Sequence, residues 1–129
     1  MHASHMATLS RTRTVAGCEL ARIFDSSLLA ALCESVRLEI VRILAAQRRV
    51  DLQTIAEQLP QDRSVVSRHL GVLHRAGVVR REKVGRQVFF ELDGSTLLGR
   101  LEGMVEGCRR IVAFCCPPKA KPNAKRRRS

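Results

Sequence analysis

The feature that most constrains the fold of this chain is a pair of short amphipathic segments, separated by a proline and a capping residue. The first, VDLQTIAEQL, repeats apolar residues at helical intervals, and Pro60 is expected to end that helix. Asp62 is a good N-cap for the second, DRSVVSRHLGVLHRAG, which ends at Gly77, a candidate left-handed cap. The inward positions of this second helix are predicted to be Val65, Val66, Leu70 and Leu73. Two short helices joined by about three residues form a helix-turn-helix.

The segments on either side of this pair complete a winged helix. Before it, a helical pattern begins at Asp25 and continues through SVRLEIVRILAAQ, with Leu38, Val41 and Leu44 on one face beside Ile40 and Ile43. After Gly77, VVRREKVGRQVFFEL changes to an alternating pattern and turns near Gly85, which predicts a β-hairpin. The fold class is therefore mainly α with a small β-hairpin, a winged helix-turn-helix.

The end of the chain carries a regular apolar stripe. Its members, at spacings of 4, 3, 4, 3 and 4, are Leu97, Leu101, Met104, Cys108, Ile111 and Cys115. A small domain that already has a core leaves such a stripe without a partner. We therefore expect a homodimer through the terminal helices, in which this helix packs on its copy with support from the segment Leu20–Phe24.

The chain of 129 residues is expected to form one domain. Residues 1–6, MHASHM, are typical of a vector-derived remnant, so His2 and His5 are excluded from any site. Residues 7–17 are predicted to form an N-terminal arm, residues 18–116 the winged-helix DNA-binding and dimerisation domain, and residues 117–129 a basic disordered tail.

Charge favours a polyanionic partner. The formal net charge is +11, of which six positive charges lie in KAKPNAKRRRS at 119–129. That tail is predicted to add a non-specific phosphate contact to DNA, although a merely solvated tail explains it equally well. The remaining +5 still makes the domain basic. No run is apolar enough for a membrane span and no secretory signal is present, so we expect a cytoplasmic protein without a membrane partner, whose five cysteines stay reduced.

Three stretches together resemble a known family. SVRLEIVRIL, TIAEQLPQDRSVVSRHLGVLHRAGVV and REKVGRQVFFEL are similar to the winged-helix repressors of the ArsR/SmtB type, over residues 20–116, and SVVSRHLGVLHRAGVV is the most specific part. The resemblance implies a homodimer that binds double-stranded operator DNA. It also implies release of that DNA when a metal, metalloid or oxidant acts. No constitutive cofactor and no catalytic residue are expected.

The predicted DNA contacts lie in two places. The N-terminal turns of a recognition helix face base edges in the major groove, and here they carry Arg63, Ser64, Ser67, Arg68 and His69. An arginine there suits the O6 and N7 atoms of guanine. At the tip of the hairpin, Arg86 suits a minor groove or a phosphate, with Lys83 and Gln87 beside it. A solvated helix face and an ordinary exposed turn are the alternatives.

The positions of the cysteines indicate which inducer the protein is expected to sense. Family members place sensor sites in different elements; the first helix of the helix-turn-helix has no cysteine here, and the C-terminal helix has no histidine for zinc. That helix does carry Cys108, Cys115 and Cys116. Three thiolates without imidazole select soft ions, arsenite or antimonite first and then cadmium, lead or mercury. Cys108 and Cys115 are separated by about 10 Å along one helix. The helix must therefore break, or Cys108 of one subunit must meet the vicinal pair of the other.

Other readings of the thiols stay open. Buried cysteines pack like small hydrophobes, which explains Cys108 or Cys115 taken singly. The same fold with a redox or persulfide signal needs a pair able to meet, such as Cys33 with Cys108, although Cys33 is otherwise predicted to lie in the core. Cys18 is a candidate additional ligand. A thiol enzyme is disfavoured because no histidine lies nearby as a base, and a non-specific nucleoid protein explains neither the wing nor the stripe.

Overall fold

The computed structural model describes residues 22–116. The predicted vector remnant, N-terminal arm, Cys18 and basic tail lie outside these residues. In chain order the helices and strands are α1 (Ser26–Leu32), α2 (Ser35–Gln47), β1 (Arg49–Asp51), α3 (Leu52–Glu57), α4 (Arg63–Arg75), β2 (Val79–Val84), β3 (Gln87–Leu92) and α5 (Gly94–Cys115). The described residues divide into two compact units, residues 25–101 and residues 22–24 with 102–116.

Acidic residues occupy the N-cap positions of α1 to α4, and two of these four cap the helix with their side chains. The Asp25 carboxylate accepts from the Leu28 amide at 3.1 Å, and the Asp51 carboxylate accepts from the Thr54 amide at 3.3 Å. Both caps satisfy a backbone donor that the first helical turn leaves unpaired. Asp62 occupies the N-cap position of α4 as predicted, but its side chain makes no capping hydrogen bond. At the other end, Gly77 has φ 77° and ends the recognition helix as predicted.

The helix-turn-helix core agrees with the apolar pattern of the sequence. Val66, Leu70 and Leu73 of α4 are fully buried with Ile55 of α3, whereas Val65 is half-buried. Two predictions need correction. Leu38 is 50% exposed because α2 buries Ile40, Ile43 and Leu44 on another face. Helix α3 ends at Glu57, before Leu59 and Pro60, because the chain already turns at Gln58, whose amide bonds back to α3.

The wing is a three-stranded antiparallel sheet in the order β1-β3-β2. The predicted hairpin is present, and Gly85 turns it with φ 61°, a conformation that glycine adopts without strain. Strand β1 was not predicted. Only three residues long, it pairs Val50 with Phe90, and both side chains are buried.

The C-terminal helix has two apolar faces rather than one. Met104, Gly107 and Ile111 are buried within the chain, and a Cβ added at Gly107 would lie 2.6 Å from the Ile23 side chain. A second face is exposed: Leu98, Leu101, Val105 and Val112. At about 100° per residue these four fall within about 60° of one another around the helix. The predicted stripe therefore mixed the two faces, because Met104 and Ile111 are already covered in a single chain.

Candidate nucleic-acid interface and thiol site

The exposed side of α4 presents a row of polar residues. Ser64, Arg68 and Arg75, with Gly71 between them, are spaced by four, three and four residues, and all but the half-buried Gly71 are exposed. This spacing places them on one face, opposite the buried Val66 and its neighbours. Of the other predicted contacts, Arg63 and Ser67 are exposed on the flank of this row. The helix can therefore lay a polar, basic face along a groove of DNA.

His69 lies to one side of that row and is half-buried. Its Nδ1 atom is 3.2 Å from a guanidinium nitrogen of Arg37, which also donates to the carbonyl oxygens of Ala31 at 2.6 Å and Ala30 at 3.1 Å. A guanidinium has no acceptor, so Nδ1 accepts and the proton of the neutral imidazole lies on Nε2. No pattern in the sequence indicated that Arg37 of α2 contacts His69.

The tip of the wing carries the three predicted basic and polar residues. Lys83, Arg86 and Gln87 are exposed around the turn at Gly85. Strands β2 and β3 hold the tip away from the core, since every residue from Arg80 to Gln87 is exposed. The tip is therefore free to reach a phosphate or a minor groove.

The pairing of the cations differs between surfaces. Several arginines away from α4 and the wing tip contact carboxylates: Arg49 with Glu82 at 2.9 Å, Arg80 with Glu91 at 3.3 Å, and Arg42 with Glu39. Arg48 and Arg109, which are also outside these surfaces, form no ion pair with a described residue. In the part of the chain that the structure describes, six cations of helix α4, strand β2 and the wing tip form no ion pair with a carboxylate. These are Arg63, Arg68, Arg75, Arg81, Lys83 and Arg86.

Sequence reasoning missed two members of that unpaired set. Arg75 follows Arg68 by seven residues, so helical periodicity would have placed both on one face. Arg81 pairs with Phe90 across the hairpin, and this register fixes which side of the sheet it occupies. Neither was singled out, because the prediction stopped at the first two turns of the helix and at the hairpin tip.

The vicinal thiols lie at the end of α5. The Sγ atoms of Cys115 and Cys116 are 3.4 Å apart and both residues are exposed. The hydrogen bond with Cys116 raises the pKa of Cys115 above its ordinary value, helped by desolvation and by the neighbouring thiol's charge. Two sulfur atoms at this separation are close enough to bind one ion, provided that both protons leave.

The third predicted ligand is not beside this pair. Cys108 is half-buried on α5, and the helix runs without a break to Cys115, so one chain does not bend Cys108 toward the pair. Within residues 22–116, no group of three candidate metal ligands comes together. Of the two arrangements that the sequence left open, the break in the helix is not observed. Cys33 is exposed at the end of α1, so its predicted place in the core is wrong: α1 has already ended and buries Leu28 and Ala31 instead.

Comparisons with known proteins extend this picture. A family model described as HVO_A0114 matches residues 33–96. An ArsR-like transcriptional regulator from Rhodococcus sp. RHA1 is 30% identical, with a TM-score of 0.54, over 74% of this chain and 81% of the other. The chain belongs to the ArsR-like transcriptional regulators.

Other solved structures agree with that family. A possible transcriptional regulator for arsenical resistance is 29% identical, with a TM-score of 0.56, over 67% of this chain and 94% of the other. An ArsR family regulator, RHA00566, shares the fold with a TM-score of 0.60 at 15% identity, over 69% of this chain and 90% of the other. A search of curated proteins gives no significant match. The ArsR-like relatives are regulators and not enzymes, as the sequence predicted.

None of the helices described here combines the length and the apolar character needed to cross a membrane.

Proposed function

We propose that this ArsR-like regulator is a homodimeric repressor that leaves its operator when arsenite or antimonite binds cysteine thiolates at the end of α5. The observation that carries the proposal is the pair of exposed sulfur atoms, 3.4 Å apart, at the end of the helix that follows a DNA-reading domain. The cytoplasm, where thiols stay reduced, is the compartment that this chemistry requires.

The DNA part of the proposal rests on charge and shape. Helix α4 presents Ser64, Ser67 and Arg68 outward, none of its arginines forms an ion pair with a described carboxylate, and the wing tip adds Arg86. Unpaired guanidinium groups lose little when they exchange water for phosphate or for guanine O6 and N7. Arg68 is proposed to read a base, whereas Arg86 is proposed to contact the backbone.

The dimer part rests on the exposed apolar face of α5. Leu98, Val105 and Val112 are 57%, 52% and 48% exposed in the single chain, which is costly for aliphatic side chains in a row. A second copy of the same helix covers such a face symmetrically. We therefore assign dimerisation to this face, which also contains Leu101, and not to Met104 or Ile111.

The sensing part needs a third sulfur atom. Trivalent arsenic and antimony bind soft thiolates, and Cys115 with Cys116 supplies two. Cys108 lies between Val105 and Val112 at the margin of the dimer face, and this supports Cys108 of the second subunit as the third ligand. The ion supplies bonds that draw the two α5 helices into one arrangement. The ion binds the DNA-free arrangement of the dimer more tightly than the DNA-bound arrangement. The ratio of these two affinities sets how far the affinity for the operator falls.

The test is a titration of a labelled operator complex in parallel with arsenite, antimonite, cadmium, zinc and peroxide. Release by arsenite and antimonite at the lowest concentrations supports the proposal. Serine substitutions at Cys108, Cys115 and Cys116 should each preserve DNA binding and abolish or sharply weaken release. Cys33→Ser is the matched control, because that thiol is also exposed but lies at the end of α1.

Two outcomes would redirect the proposal. If the Cys108→Ser variant still releases DNA at wild-type arsenite concentrations, the ligand set shrinks to the vicinal pair, with Cys18 or an external thiol as the third sulfur atom. Release by peroxide alone, with an oxidised dimer and no response to metalloid, would replace metalloid sensing by thiol oxidation.

A further inference from the structure

A groove of about 210 Å³ runs between helix α4 and the inner face of the wing. Its lining residues are Leu52, Ser67, Gly71, His74, Arg75, Arg81, Val88 and Phe90. The helix contributes one wall, strands β2 and β3 contribute the other, and Phe90, only 5% exposed, lies among the apolar lining. Every lining residue belongs to the unit of residues 25–101.

The charge of this groove is positive and uncompensated. Arg75 and Arg81 approach it from opposite walls, and neither forms an ion pair with any described residue. The lining contains no carboxylate. A second groove is lined by Arg49, Arg80, Arg81, Glu82, Phe89 and Glu91, and there Arg49 pairs with Glu82 and Arg80 pairs with Glu91. Arg81 borders both grooves and pairs with no described carboxylate, whereas the other two arginines of the second groove are neutralised.

Gly71 keeps this groove open at some cost to the helix. It lies in the middle of α4, where glycine is less favourable than alanine in general. A Cβ added there would lie 3.2 Å from an Nη atom of Arg75, closer than most side chains approach. Gly71 therefore leaves the backbone of α4 uncovered where it lines the groove, and a side chain at this position would require the Arg75 guanidinium to shift by a few tenths of an ångström.

We propose that this groove binds one phosphate of the DNA backbone, held jointly by the guanidinium groups of Arg75 and Arg81. The proposal rests on the proposed function and deepens it, because it names two contacts beyond the recognition turns and the wing tip. A phosphodiester fits because it is a compact anion with two exposed oxygen atoms, and two guanidinium groups can each donate to it. The apolar wall at Phe90 keeps water away from one side of the groove, which lowers the local effective dielectric constant and strengthens both interactions.

The first test is the salt dependence of binding to a 30-base-pair duplex of mixed sequence, using the full chain. The slope of log K against log salt falls by about 0.9 for each phosphate contact that is lost. If both arginines hold the same phosphate, the double variant Arg75→Gln/Arg81→Gln should lose about 0.9 in slope, and not about 1.8. Arg48→Gln is the control, since Arg48 is exposed and unpaired but lies outside the groove.

The second test separates binding from folding. Gly71→Ala should raise the melting temperature, because alanine favours the helix, and should lower DNA affinity several-fold by crowding Arg75. Gly99→Ala is the matched control: it lies within α5, and a Cβ there would meet nothing within 4 Å. This control should raise the melting temperature and leave DNA affinity unchanged.

The outcomes distinguish the two proposals. A wild-type chain that does not bind the duplex at low salt refutes the proposed function itself. A wild type that binds, with unchanged slopes in the arginine variants or unchanged affinity in Gly71→Ala, overturns the groove assignment alone. Titration with inorganic phosphate tests whether the groove binds free phosphate instead of a phosphate of the DNA backbone. If the arginine variants lose inorganic phosphate but keep the duplex slope, the groove is a site for free phosphate and not for DNA.

Discussion

Arg100 connects three elements of the larger unit, and its removal should weaken the fold measurably. Its Nε atom donates to the Asp25 carboxylate at 2.7 Å, and another nitrogen of the same guanidinium donates to the Ala76 carbonyl at the end of α4. Asp25 in turn caps α1. The change Arg100→Met keeps most of the aliphatic length of the side chain and removes both donors.

The expected loss follows from the exposure of the two partners. Hydrogen bonds to charged groups contribute about 1.5–3 kcal/mol each when well buried. The Arg100 and Asp25 side chains are 26% and 29% exposed, so water recovers part of each interaction. We expect a decrease of about 2 kcal/mol in the free energy of unfolding, of which about 1 kcal/mol appears as coupling with Asp25→Asn.

Urea unfolding at several pH values measures both quantities. The hydrogen bond from Arg100 is the largest cause that holds the pKa of Asp25 below the ordinary value of an aspartate. A carboxylate with a lowered pKa stabilises the fold above its unfolded pKa and loses that contribution as pH falls through the folded pKa. The gap between wild type and Arg100→Met should therefore be full at pH 7 and should shrink below about pH 4.

Arg109→Met serves as the control, because Arg109 is exposed on the same helix and has no ion pair in the described part of the chain. Equal stability of the two variants at pH 7, or a gap that grows as pH falls, would refute this account of Arg100.

Three further predictions concern other parts of the molecule. Val105→Glu should weaken dimerisation by about 100-fold or more, measured by sedimentation, while leaving the monomer folded, because Val105 is 52% exposed in the single chain. Arg48→Gly should stabilise the fold by about 0.5–1 kcal/mol in urea unfolding, since Arg48 has φ 66°; Arg48→Ala should bring no such gain. Soft-ion binding at Cys115 should strengthen as pH rises, in direct titrations, because its raised pKa keeps the thiol protonated; affinity independent of pH would contradict this.

The sequence predicted the fold wherever one periodicity dominated. Helix α4, its end at Gly77 and the turn at Gly85 follow from local rules, because apolar spacing and glycine conformation act within a few residues. Strand β1 was missed because three residues carry no detectable alternation, and only pairing with β3 makes them a strand. The two faces of α5 were merged because both are apolar, and only burial separates Met104 from Val105.

The candidate site was predicted less completely, for a similar reason. Residue type and position on a helix were enough to select Arg68 and the thiols. They did not reveal that Arg37 holds His69, since 32 residues separate the two in the chain. Arg81 was missed because its role depends on which face of the sheet it occupies, a property of hairpin register and not of charge alone.

The unpaired cations of α4 and the wing have a consequence for the lifetime of the protein. Cations on one surface that form no ion pair with a described carboxylate repel one another, and such repulsion is expected to lower the stability of the free domain. A bound polyanion relieves the repulsion and stabilises the folded state by mass action. A regulator released from DNA would then open more often and meet proteases more readily than one that remains bound. Induction would in this way shorten the survival of the released molecules, which limited proteolysis with and without duplex can measure.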